Sequence, residues 1–228
     1  MNTKMILSMW FLIMTFGASP GFSAVVINEF LADPPPGLAG DANHDGVRSS
    51  SQDEFVELFN FGAGGENLSS WSIWDGSALR HQFAEGTALS SLERLVIFGG
   101  GAPSGIPGLV FTASSGTLSL NNAGDTITLK NKFGVTMDRV VFSSEADQDQ
   151  SLVRIPEGSG PFREHASVSR AGLVFSPGTD AEAKIRIPEI PTTPEPSTGL
   201  TFGLGLLIIG GILKRRRFNR ERQAQDFH

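Results

Sequence analysis

Between Val25 and about Asp180 the hydrophobic positions recur every second residue rather than every 3.6, the spacing of strands whose alternate side chains face opposite sides. Residues 25–31 (VVINEFL) and 54–61 (EFVELFNF) read as strands, and residues 94–98 (RLVIF) as a buried run closed by Gly99, Gly100 and Gly101. Within residues 70–75 (SWSIWD), Trp71 and Ile73 fall on one face and Trp74 on the other. Residues 125–130 (DTITLK) turn Ile127 and Leu129 inward and the threonines outward; the turn at residues 131–134 leads into residues 135–142 (VTMDRVVF) as a hairpin. Further short strands are expected at residues 78–83, 108–112, 117–120, 151–155 and 166–169. No stretch of this region carries a helical apolar stripe. Many short strands broken by turns every 8–12 residues or so predict an all-β sandwich or barrel.

The two ends have a different pattern. Lys4, the apolar residues 5–18, the break at Pro20 and Gly21 and the small residues after it read as a secretory signal peptide over residues 1–24. Cleavage is expected after Ser23, with Ala24 the near alternative. Residues 181–198 form a proline-rich linker that includes Pro194, Glu195 and Pro196. Residues 199–213 (GLTFGLGLLIIGGIL) form a short apolar, glycine-rich transmembrane segment. At 1.5 Å per residue they reach roughly 22 Å, short of the ~30 Å hydrocarbon core. The basic cluster Lys214, Arg215, Arg216 and Arg217 opens a cytoplasmic tail over residues 214–228 and keeps that end inside, so the domain before it faces outward.

Composition narrows the chemistry. The 228-residue chain has no cysteine, which removes disulfides, thiolate metal sites and a cysteine nucleophile. Residues 25–213 hold 22 acidic and 11 basic side chains, a balance of −11 that opposes binding to nucleic acid by charge. No histidine pair has metal-ligand spacing, and no serine lies in a Gly-x-Ser-x-Gly elbow. The glycine run at residues 99–101 precedes Pro103 and Pro107 rather than a helix, so it is no phosphate cradle.

The tripartite C-terminus (Pro-Glu-Pro, a short apolar segment, then Lys-Arg-Arg-Arg) resembles a PEP-CTERM sorting signal. That resemblance implies a Gram-negative bacterium making extracellular polysaccharide, passage through the inner membrane, and an exosortase that cuts near Pro194–Pro196 to release the protein or attach it to the surface. The alternative is an ordinary single-pass anchor on a proline-rich stalk. The blocks VVINEFLADP from Val25, DEFVELFN from Asp53, WSIWDG from Trp71, HQFAEGTALSSLERLVIFGG from His81, GDTITLKNKFGVTMDRVVF from Gly124, DQSLVRIPEGSGPF from Asp149 and FSPGT from Phe175 resemble, in this order, those of lamin-tail domains. This second resemblance implies an immunoglobulin-like β-sandwich over residues 25–180 and transfers no catalytic residue.

Two groups of residues remain as candidate chemistry. Asp41, Asn43 and Asp45 before Gly46 make the opening half of a calcium loop, in which oxygens at alternate positions converge on one ion. Val47 would add a carbonyl, and Asp53 or Glu54 would close the shell, since position twelve is Gln52. The competing reading is a solvated turn built from ordinary turn residues. Glu57 shares a strand face with Phe55, Phe59 and Phe61, an unusual place for a carboxylate. With Glu29 it would form an acid/base pair for a secreted hydrolase or nuclease, for which the carboxylates of the Asp41–Asp45 loop are the other candidates. The preferred reading gives both glutamates a structural role, accepting backbone N–H groups at a bulge or sheet edge. Trp74, on the face opposite the core, is open to stack on sugar rings. Taken together, the residues favour a non-catalytic exported surface or matrix protein, an adhesion or binding module that takes calcium and meets extracellular polysaccharide. Its processing partners would be signal peptidase and exosortase.

Overall fold

The computed structural model describes residues 24–182. The signal peptide before Ala24, the linker beyond Glu182 with Pro194, Glu195 and Pro196, the apolar residues 199–213 and the basic tail from Lys214 to Arg217 and onward lie outside the described residues.

Twelve strands form where the alternation predicts them, with a few exceptions. The first six are Val25–Leu31 (β1), Phe55–Asn60 (β2), Glu66–Asn67 (β3), Ser72–Trp74 (β4), Leu79–Gln82 (β5) and Ala88–Leu89 (β6). Arg94–Phe98 (β7), Leu109–Thr112 (β8), Asp125–Lys130 (β9), Thr136–Phe142 (β10), Leu152–Arg154 (β11) and Phe162–Glu164 (β12) complete the set. They build a six-stranded sheet in the order β12-β11-β1-β2-β7-β8, a four-stranded sheet in the order β10-β9-β4-β5 and a small β3-β6 ribbon. Neighbours are antiparallel except β7 and β8.

The two larger sheets share one core. Ile27, Phe30, Val56, Leu58, Leu95 and Ile97 from the first sheet meet Trp71, Ile73, Ile127, Leu129, Val140 and Phe142 from the second. Phe30 and Phe142 pack across the layers with ring centroids 4.7 Å apart. At one margin the layers are tied by polar groups: Ile27 N–H donates to Asp138 Oδ2 at 2.9 Å, and Arg154 pairs with the same carboxylate at 3.2 Å. Trp71 and Ile73 thus face the core, and Trp74 lies half-exposed on the outer face. This is a two-sheet sandwich, one of the two forms that the alternation predicts, and it is immunoglobulin-like, as the lamin-tail resemblance implies.

The six-stranded sheet is covered on its outer side as well. Leu31, Ala42, Phe55, Val96 and Phe98 form a second apolar cluster there, packed by Ile106, Val110 and Phe175. Every residue of β2 is therefore buried, which explains why Glu57 lies on an apolar face. Two strand expectations are corrected. Residues 117–120 form a loop that sends Leu118 and Leu120 into the core, because Ser119 adopts φ 51°, which no strand accommodates. Residues 166–169 belong to a single helical turn, His165–Val168 (α1), closed by Ser169 N–H donating to His165 O at 2.9 Å. Three strands are unexpected: β3 and β6 pair with each other, and β12 pairs with β11 at the sheet edge.

Candidate functional site

The Asp41 loop connects the first two strands and closes on itself. Asp41 accepts from the N–H groups of Asp45 (3.2 Å) and Gly46 (2.9 Å), and Asn43 Oδ1 accepts from Asp45 N–H at 2.9 Å. Asp45 accepts from Val47 N–H at 2.9 Å and from Ala102 N–H at 3.1 Å, and these amides, Ala102 foremost, hold its pKa below the ordinary value. Asp53 lies beneath, accepting from Asn43 N–H at 3.1 Å and Ser49 N–H at 2.6 Å; burial nevertheless raises its pKa.

The glycine run after β7 clamps this loop from outside. Gly100 O accepts from Asn43 Nδ2 at 3.2 Å, and Ser104 bonds Asn43 O and His44 O. Gly101, at φ +76°, leaves no room for a Cβ against Asn43 and Asp45. The run is thus a backbone partner for the acidic loop.

The six residues considered for a cation do not all meet. Asp41, Asn43, Asp45 and Asp53 come together through backbone amides. Val47 is exposed and contributes its N–H to the loop. Glu54, one residue along from Asp53 and just before β2, takes partners on the other side of the chain. Its Oε2 accepts from Leu120 N–H at 3.3 Å under the 117–120 loop, and burial raises its pKa to about 8. Among the described residues, no three Asp, Glu or His side chains are placed to hold a metal ion.

Glu29 and Glu57 do come together. They are cross-strand partners in the β1–β2 register, beside a bulge that sets Asn28 between Ile27 and Glu29. Both are fully buried. Glu29 accepts from Ser151 Oγ (2.6 Å), Ser176 N–H (2.9 Å) and Ser176 Oγ (2.8 Å). Glu57 accepts from Asn28 Nδ2 at 3.0 Å and Gly178 N–H at 2.8 Å, with Arg94 Nε 3.5 Å away. Burial, followed by the nearby Glu29 charge, pushes the Glu57 pKa well above the carboxylate range. Next to them Glu157 pairs with Arg94 and accepts from Ala181 N–H at 3.2 Å. The three carboxylates therefore fasten residues 176–181 across the outer face of the sheet.

His165 joins this network, its Nδ1 donating to Leu173 O at 2.9 Å and its Nε2 lying 2.8 Å from Ser176 Oγ. Serine, histidine and glutamate are the residue types of a hydrolytic triad. Here the serine donates directly to the glutamate, and none of the three is more than 4 % exposed, so no substrate carbonyl can approach. The sequence could not reveal this group, because Ser176 and Glu29 are 147 residues apart.

These features sit within a known domain type. A family model described as Lamin Tail Domain matches residues 18–144, more than half of the chain. The chain belongs to the lamin tail domain family. No curated protein matches it. In this lamin tail domain the sheet extends past the matched stretch: β11, which lies between β1 and β12, and the segment fastened by Glu29 and Glu57 follow residue 144. Residues 192–217 match a model described as the PEP-CTERM protein-sorting motif. That motif marks an exosortase-sorted, exported surface protein of a Gram-negative bacterium.

Proposed function

We propose that this lamin tail domain is a non-catalytic adhesion module that works within extracellular polysaccharide. A signal peptidase cuts after Ser23 on export through the inner membrane. The segment 199–213 and the basic tail hold the protein until exosortase cuts near Pro194–Pro196. The observation that carries this reading is the sorting motif placed after a domain whose most reactive-looking carboxylates are committed to its own backbone. Glu29 and Glu57 are closed off from any substrate, and the Asp41 loop directs its oxygens at amides within reach.

The test has three readouts. Mass spectrometry of the surface fraction should recover the domain without residues after about Pro196; peptides from Arg215 to His228 still joined to it would overturn the processing step. The purified domain should co-sediment saturably with the cell-free matrix polysaccharide of its host, and failure to do so would overturn adhesion. Release of reducing ends from that polysaccharide would overturn the non-catalytic assignment.

A further inference from the structure

The outer face of the four-stranded sheet is unlike the rest of the domain. Alternation sends Ile73, Ile127, Leu129 and Val140 to the core, so Ser72, Trp74, Thr126, Thr128, Lys130 and Arg139 point outward. The register sets them in a row: Trp74 is opposite Thr128, and Thr128 is opposite Arg139. Trp74, Thr126, Thr128, Lys130 and Arg139, with the turn Asp75–Ser77, line a shallow hollow of about 260 Å³. That is just below the roughly 300–1,000 Å³ of enclosed small-molecule pockets, and it suits contact with a few units of a chain lying on the sheet.

The indole is held in place. Trp74 Nε1–H donates to Ser72 Oγ at 2.9 Å, and the Lys130 ammonium sits 4.2 Å from the ring centroid. An indole offered at a surface beside hydroxyl groups is suited to the C–H face of a pyranose, and a lysine on a flexible stem is readily displaced from it, since an exposed cation–π contact is weak.

Cations outnumber anions at the hollow, where Asp125 stands at the edge with its Oδ1 accepting from the N–H groups of Gly76 and Thr126. Asp75 is neutralised by its ion pair with Arg80, whereas Lys130 and Arg139 have no carboxylate within 4.0 Å among the described residues. The described residues as a whole hold 20 acidic and 9 basic side chains. Two cations without an ion-pair partner beside a half-exposed tryptophan are thus a local reversal of sign in a domain of −11.

We infer that this face binds an acidic polysaccharide: a sugar ring stacks on Trp74, and its carboxylate takes the Lys130 and Arg139 cations. The inference rests on the adhesion reading above and names its ligand class. A nucleic acid also offers rings and anions. Its phosphates are far denser, and binding it relies on neutralising many of them, which two cations on so acidic a domain do not supply.

The test uses residues 24–184, which contain both sheets and the whole of the shared core. Polygalacturonate oligosaccharides are the probe, with neutral dextran and a poly-dT oligonucleotide alongside, in titration calorimetry at two salt concentrations. Saturable, salt-sensitive binding of polygalacturonate is expected. Trp74→Ala should weaken it at least tenfold, Trp74→Phe should restore most of it, and Lys130→Ala with Arg139→Ala should weaken it at least fivefold and remove its salt dependence. The double variant keeps the indole, so it carries the test if Trp74→Ala melts early. Binding that these variants leave unchanged would overturn this site and leave the adhesion reading standing. Equal binding of dextran would overturn the acidic ligand. Binding of poly-dT alone would overturn the polysaccharide class. Co-sedimentation with host matrix but no binding of polygalacturonate would overturn this inference alone, whereas failure with both would remove the adhesion reading too.

Discussion

Glu54 offers the most direct test of how the sandwich treats its buried charge. It is 5 % exposed, its neighbours 117–120 close over it, and burial raises its pKa from 4.5 to about 8. The backbone amides of Leu120 and Ser119 and the charge of Arg80 act in the opposite direction and only partly offset the burial. A raised folded-state pKa means that the folded chain holds the proton more tightly than the unfolded chain. The stabilisation is therefore complete below about pH 4.5 and is lost as pH rises through about 8. At 1.36 kcal/mol per unit, the loss is about 3 kcal/mol by pH 7 and approaches about 5 kcal/mol above pH 8. Glu54→Gln keeps the shape and an oxygen for Leu120 N–H, and it never ionises. Urea melts of wild type and Glu54→Gln should agree at pH 4. The variant should become progressively more stable relative to wild type as pH rises, with the difference levelling off above about pH 8. Asp53, Glu57 and Glu157, whose pKa values are also raised, are present in both proteins and cancel in the difference. A difference that stays flat from pH 4 to pH 9 would show that water reaches Glu54 in the folded state and that the reasoning from burial is wrong.

Two further outcomes are expected. Trp71, 5 % exposed within the shared core, should cost about 3–5 kcal/mol when replaced by alanine, read as a lower urea midpoint at an unchanged slope; an unchanged midpoint would mean that β4 contributes little to the core. The Asp41 loop is closed by amides from Asp45, Gly46, Val47 and Ala102, so chelating divalent ions should leave the melting temperature unchanged; a fall under chelator that millimolar calcium restores would show that its oxygens need an ion.

The fold was largely legible because strand alternation is a local property. Residues 94–98 and 125–130 match β7 and β9 residue for residue, and the inward and outward assignments of Trp71, Ile73 and Trp74 follow from counting by two. Residues 117–120 misled the same rule: leucines alternate there with a serine at φ 51°, so the pattern reports burial correctly and backbone conformation wrongly. The candidate site was legible only in its carboxylates. Glu57 stood out as a charge on an apolar face, and its register partner Glu29 was named with it. The groups that explain them (Ser151, His165, Ser176 and Gly178) are supplied from the far end of the domain. No periodicity links such distant segments, since buried carboxylates are satisfied by whichever amides the fold brings over them. A carboxylate on an apolar strand face therefore points to a missing partner segment as readily as to catalysis. In this chain that segment is residues 173–181, the last stretch of described backbone before the linker that exosortase is proposed to cut, so the buried glutamates anchor the end of the domain nearest to the cut.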